Sequence, residues 1–256
     1  MRARIDLNAD VGEGFGPWPM GADAELIPLV TSVNVACGAH AGDPSTMERT
    51  VRLARQHGVA VGAHPGYPDL AGFGRRDLDM TAADLAASLV FQVGALAAFA
   101  RDAGTDLTHV KPHGALYNRA AADPGLAAVV AGALARVAPD AVLVGLAGSA
   151  LLAAGRAAGL AVAGEAFADR AYEADGSLRS RRLPGAILAS PELAAAQALA
   201  IARDRRVATW DGGTVAVEAD TICLHGDTPD AAAYARAVRS ALETAGIALE
   251  SLAGPA

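Results

Sequence analysis

The chain has a single lysine, Lys111, against twenty arginines. Where arginine serves everywhere else, a position that keeps lysine calls for a compact, flexible, titratable ammonium. Asparagine is almost as scarce: Asn8, Asn34 and Asn118 all lie near histidines or carboxylates. The two cysteines, Cys37 and Cys223, are far apart and outside any CxxC, which excludes a disulfide framework or zinc ribbon and predicts a reducing cytoplasm. There is no basic stripe, and with a net charge of −7 no nucleic-acid or anionic-membrane partner is expected. No apolar segment reads as a secretory signal, and the Ala/Leu/Val runs are broken by Arg, Asp, Gly or Pro, so no membrane span is expected. Pro112 follows the only lysine, which rules out a Walker A loop in these 256 residues.

What is present is alternation. Hydrophobic residues make up 52% of the chain and aromatics only 4%, a composition suited to small-residue helices packed on a sheet. Short β-like runs at Ala3–Asn8, Ser32–Ala36, Val59–Ala63, Leu107–Lys111, Ala141–Leu146, Leu160–Glu165 and Thr221–His225 alternate with helical stretches. Helix starts are expected at Asp43-Pro44, at Thr81 with Asp84 as a capping box, and at Asp123-Pro124, Ser190-Pro191 and Thr228-Pro229. Gly66–Asp79 reads as a long polar loop and Arg206–Val217 as a hairpin. The pattern predicts one α/β domain over residues 1–256, an irregular seven-stranded (β/α) barrel, with a doubly wound open sheet as the alternative.

Polar residues gather at the C-terminal ends of these strands, where such barrels carry their chemistry. Strand one ends in Asp6, Asn8 and Asp10, on one face at i, i+2, i+4, followed by Glu13. Crowded carboxylates are expected to raise one another's pKa, although Asp6 and Asn8 also suit backbone-binding turns. The next strands deliver Asn34 and His40, then His64 followed by Arg75, then Lys111, His113 and Tyr117. The later ones deliver Glu165 followed by Arg170, and His225. Lys111 suits a Schiff base, an oxyanion donor, a carboxylate anchor, or a buried salt bridge to Asp6 or Asp10. Arg75 and Arg170 suit carboxylate or phosphate clamps. The histidines admit a metal, but no HExxH or helical His pair demands one. Cys37 is either a nucleophile beside His40 or a small buried thiol. His57 and His109 are expected to be structural.

Taken together, Asp6-Leu7-Asn8-Ala9-Asp10-Val11-Gly12-Glu13, Asn34 to Asp43, His64 to Asp69, Lys111 to Tyr117, Asp169-Arg170 and Leu224-His225-Gly226-Asp227 resemble the LamB/YcsF family, the A subunits of bacterial 5-oxoprolinase. The resemblance runs in order over nearly the whole chain and departs only at Arg179, where an apolar residue is usual. It implies a barrel akin to polysaccharide deacetylases. It also implies ATP-dependent opening of 5-oxo-L-proline (pyroglutamate) to L-glutamate, together with separate 5-oxoprolinase B and C subunits. ATP would be a co-substrate, bound with the partners' help. In that reading Asp10, or Asp6 beside it, is the base, Lys111 and His113 serve the oxyanion and ring nitrogen, and His64 is a further catalytic residue. Arg75 or Arg170 holds the substrate carboxylate, with Asn8, Asn34 and Tyr117 orienting the ring and Glu13, His40, Glu165 and His225 lining the site. Two rivals are a metal-dependent carbohydrate deacetylase with Asp10, His40 and His64 as ligands, and a non-catalytic protein that only presents substrate.

Overall fold

The computed structural model describes residues 4–226 and 230–252. Its strands are β1 (Arg4–Val11), β2 (Ser32–Ala36), β3 (Ala60–His64), β4 (His109–Val110), β5 (Val142–Leu146), β6 (Val162–Phe167), β7 (Arg206–Ala208), β8 (Thr214–Ala216), β9 (Thr221–His225) and β10 (Ala248–Leu249). Its helices are α1 (Asp23–Leu26), α2 (Pro44–Gln56), α3 (Ala82–Asp102), α4 (Gly114–Ala122), α5 (Pro124–Val137), α6 (Ala150–Ala157), α7 (Pro191–Leu199) and α8 (Ala231–Thr244). Strands β1 to β6 pair side by side in parallel, and β9 joins β6 to β1, closing a seven-stranded barrel. The open doubly wound alternative is therefore set aside. β10 adds to β1 at Arg4 and Ile5, outside the ring, while β7 and β8 form the expected hairpin.

The strands alternate by period two. On β1, Leu7, Ala9 and Val11 are fully buried in the apolar layer shared with the helices, as are Val33 and Val35 on β2. Burying each large apolar side chain there contributes roughly 1.5–3 kcal/mol. The opposite faces of the same strands point inward and are polar: Asp6, Asn8 and Asp10 on β1, Ser32 and Asn34 on β2, Thr221 on β9. The barrel thus has its main core outside the sheet and a hydrogen-bonded polar interior. Each inward group must find a partner, because an unpaired one costs several kcal/mol.

The helix starts follow local chemistry. Asp43, Asp123 and Ser190 accept the first free N–H groups of α2, α5 and α7, with proline next in each case. Thr81 caps α3, but the reciprocal partner differs from a capping box, since its hydroxyl donates to the Asp84 carboxylate at 2.7 Å. The expected start at Thr228-Pro229 falls outside the described residues, and α8 begins at Ala231 instead, after Asp230 in a left-handed conformation. Contrary to expectation, α3 is long and apolar enough to cross a membrane by length and composition. It lies against β3 and α5 with Leu85, Leu89, Val93 and Leu96 buried.

A candidate active site at the barrel mouth

Register brings the inward groups together. In the parallel ladder Asp10 sits beside Asn34 of β2 on one side and His225 of β9 on the other. Lys111 follows the short β4, and its N–H donates to the Ala63 carbonyl (2.9 Å), so its side chain enters the interior at the same level. Its ammonium donates to Asp10 Oδ1 (2.9 Å) and Cys223 Sγ (3.0 Å) and lies 2.9 Å from Glu165 Oε1. Asn34 donates to both Asp10 (2.8 Å) and Asn8 (2.7 Å), and Asn8 in turn donates to Glu165 (3.0 Å) and Thr221 (2.6 Å). One continuous network therefore joins β1, β2, β4, β6 and β9.

Above it lie three imidazoles. His64 Nδ1–H donates to the Lys111 carbonyl (2.7 Å), and His113 Nε2–H donates to the Phe73 carbonyl (2.9 Å). His40 is fully buried and stacks on His113 with ring centres 3.8 Å apart. The 66–79 loop folds over these rings. Phe73 meets His40 and His113 edge-on at 5.8 and 5.2 Å, and Asp69 ties the loop through Gly72 N–H and Arg76. Gly74, at φ +63°, stands where a Cβ would come within 2.8 Å of both His40 and His113. Glu13, His40, His64 and His113 each offer one ligand atom, all within 4.8 Å of one another. These four could hold a metal. The set differs from the expected Asp10, His40 and His64, because Asp10 Oδ1 is already bound by Lys111 and Asn34.

Electrostatics distinguishes the carboxylates. Burial favours the neutral form of Asp10, but His64 and Lys111 outweigh it and hold the group well below the usual carboxylate range. Burial opposes the charge on Lys111 as well, yet Asp10, Cys223 and Glu165 hold it well above its ordinary value. Its neighbours thus favour the ammonium form of Lys111, and of the two expected salt-bridge partners it pairs with Asp10 rather than Asp6. Asp6 lies one layer deeper, held by the hydroxyls of Thr31, Ser32 and Thr221. Its pKa is raised by burial and, in smaller part, by Glu165. The expected mutual elevation of Asp6 and Asp10 does not occur, since each answers to other neighbours. Burial lowers His40 and His113 well below 6.5 and His109 to about 3.

The remaining expectations separate. Tyr117 packs edge-on against Phe167 (5.9 Å), and its phenol is raised by burial and by Glu165, although no hydrogen bond of normal geometry joins the two. His225 pairs through Nδ1 with Asp169 (2.9 Å) and stacks on Phe167. Arg75 is exposed at the mouth, its guanidinium 4.7 Å from the Phe73 ring centre. Arg170 is drawn into scaffolding, donating to the Ala186 (3.1 Å) and Arg179 (2.6 Å) carbonyls, and burial lowers its pKa to about 10. Arg179, the departure from the family pattern, ties Glu173 to the Pro184 carbonyl and lies over Trp210. His57 is exposed, and His109 supports Asn34 from within the barrel (2.7 Å). Cys37 is a buried thiol pushed up to about 12. Asp227 lies outside the described residues.

The residues that sequence reading passed over are Cys223, Thr221 and Phe167. Their signal was weak, since Thr221-Ile222-Cys223-Leu224 reads as an apolar strand. A concavity of about 980 Å³ lies at the opposite end of the barrel, and of the candidate residues only Asp6 reaches it. One of about 420 Å³ opens beside Gly21 and Gly226, next to His225. Neither of these two concavities is lined by Asp10, Lys111, His64 or His113, and the chemistry marks the site.

Residues 5–256 match the model of the LamB/YcsF family. The chain is 54% identical over 97% of its length to the 5-oxoprolinase A subunit of Heliobacterium modesticaldum, covering 98% of that protein. It is 56% identical over 96% of its length to that of Chloroflexus aggregans, again covering 98% of the relative. Among solved structures it resembles the lactam utilization protein of Thermus thermophilus, with a TM-score of 0.92 at 47% identity over 97% of this chain and 100% of that one. Two deacetylases are also among its structural neighbours, with TM-scores of 0.48 and 0.45.

Proposed function

The chain belongs to the LamB/YcsF family, and we propose that it is the lactam-opening A component of a 5-oxoprolinase. The substrate is 5-oxo-L-proline and the product L-glutamate. Separate B and C subunits and ATP complete the reaction in this reading, which also places the chain in a reducing cytoplasm. The observation that carries the proposal is the convergence of Lys111, Asp10, Glu165, His64 and His113 at one mouth. That mouth belongs to a chain sharing over half its residues with proteins named for this activity.

A five-membered lactam resists water because amide resonance weakens both its electrophilic carbon and its leaving nitrogen. In the proposal, the partners use ATP to phosphorylate the carbonyl oxygen. Asp10, ionised at neutral pH, accepts a proton from the water that attacks the ring carbon. Lys111, with His113 nearby, faces the developing negative charge and supplies the proton to the ring nitrogen. The C–N bond then breaks to leave γ-glutamyl phosphate, which a second water cleaves to glutamate and phosphate. Arg75 is the better placed cation for the substrate carboxylate, because Arg170 is engaged by backbone. Buried polar atoms without partners at His40, Tyr117 and Glu165 Oε2 give a polar ligand groups to bind.

A glutamate-release assay with ATP, 5-oxo-L-proline and the two partner proteins, run with and without this chain, tests the proposal. Release is expected only when all components are present. Undiminished turnover without this chain overturns the catalytic reading.

A further inference from the structure

The imidazoles at the mouth turn ring nitrogens toward one another. His64 donates from Nδ1 to the Lys111 carbonyl, and His113 donates from Nε2 to the Phe73 carbonyl. A carbonyl has no proton to give, so these two bonds determine both tautomers. The remaining ring nitrogens, His64 Nε2 and His113 Nδ1, face each other at 3.0 Å. Asp10 Oδ2 stands 3.4 Å from the same His64 nitrogen, and Glu13 Oε1 stands 3.9 Å from the His113 nitrogen. One donor atom from each of Glu13, His40, His64 and His113 thus lies within 4.8 Å of the others. Beside them His40 is fully buried, and neither of its ring nitrogens has a hydrogen-bond partner.

We propose that Glu13, His40, His64 and His113 bind one divalent first-row transition metal ion of the zinc or cobalt type. Three imidazoles and a carboxylate match the donor preference of those ions better than that of magnesium or calcium, which favour all-oxygen shells. The Lys111 and Phe73 carbonyls play the part that outer partners usually play for metal-bound histidine, fixing the tautomer and aiming the free nitrogen. Asp10 is neutralised by Lys111 and stays outside the ligand set. The four ligands follow four successive strands, β1 to β4, so an ion here ties adjacent walls of the barrel together. With the ion bound, His113 is a ligand rather than a proton donor, and Lys111 remains as the acid. The inference stands on donor geometry and holds or fails independently of the lactam reading.

The test is metal uptake by the full chain purified without a histidine tag. The expected result is one zinc per chain by elemental analysis, removed by a strong chelator and replaced by Co²⁺ with a visible d–d absorption. Zinc should also raise the unfolding temperature of the stripped protein. Glu13→Gln and His40→Ala are expected to weaken Co²⁺ binding by more than about 100-fold. His57→Ala, on the exposed end of α2, is expected to leave it unchanged. Folded wild-type protein that takes up neither ion, with a ¹⁵N spectrum showing a protonated His64–His113 pair, overturns the proposal in favour of a shared proton. Tight binding that survives both ligand variants overturns it as well.

Discussion

Asp10 and Glu165, on separate strands of the barrel, share one ammonium: Lys111 Nζ lies 2.9 Å from an oxygen of each. A single buried cation thus holds two buried carboxylates in place, and what happens when it is removed follows from charge balance.

Lys111→Met leaves both carboxylates without their counter-ion. The unfolding free energy is expected to fall by about 3–5 kcal/mol, the usual cost of breaking a buried pair from one side. Glutamate release should be lost. Adding Asp10→Asn and Glu165→Gln should recover most of the stability without activity. Urea midpoints and glutamate assays on the single and triple variants check this. A single variant with wild-type release removes Lys111 from the mechanism.

His109 makes stability depend on pH. Its folded pKa, about 3, is below the 6.5 of an unfolded histidine, so the unfolded chain takes up the proton first as pH falls. The stabilisation is complete above pH 6.5 and disappears progressively down to about pH 3. It amounts to roughly 1.4 kcal/mol per pH unit, or about 5 kcal/mol in total. His109→Gln, which keeps a donor for Asn34, should flatten the urea midpoint between pH 6.5 and 5 relative to wild type. An unchanged slope means that this histidine is not held neutral.

Gly62 has no room for a side chain, since a Cβ there would overlap the His109 ring. Gly62→Ala should displace His109 and with it Asn34, costing roughly 1–3 kcal/mol or more as overpacking. Thermal unfolding measures the cost. Gly62→Ala combined with His109→Ala should regain part of it, and strict additivity would contradict the clash.

The two arginines expected to clamp substrate should behave differently. Arg75→Met is expected to raise KM for 5-oxo-L-proline roughly ten- to hundredfold with stability unchanged, the loss of one charge-assisted contact. Arg170→Met removes donors to the Ala186 and Arg179 carbonyls and should lower the unfolding temperature instead. If Arg170→Met raises KM with no loss of stability, the assignment is reversed.

Much of this architecture is legible along the chain. All seven barrel strands fall within a few residues of their expected places, because period-two alternation and proline-led helix starts are local signals. α4 and α6 are harder to see. α4 starts at Gly114 without a side-chain cap, and α6 is eight residues long. The strand-end clustering of Asp10, His64, Lys111 and His225 is likewise visible, since each lies within a residue of the end of its strand.

Pairings are another matter. That Asp10 answers to Lys111 while Asp6 is left to hydroxyls, and that Arg170 serves backbone rather than the mouth, depends on which strands become neighbours. Cys223 and Thr221 enter the network only because β9 closes against β1, more than two hundred residues away in sequence. Desolvation likewise exists only once the ring is shut, so the direction of every buried pKa follows from closure. The linear order of residues sets which side chains face the interior, through the geometry of an extended strand. Their partners, charges and tautomers are decided by the three-dimensional register, because Coulomb and hydrogen-bond energies depend on distances that no spacing along the chain specifies.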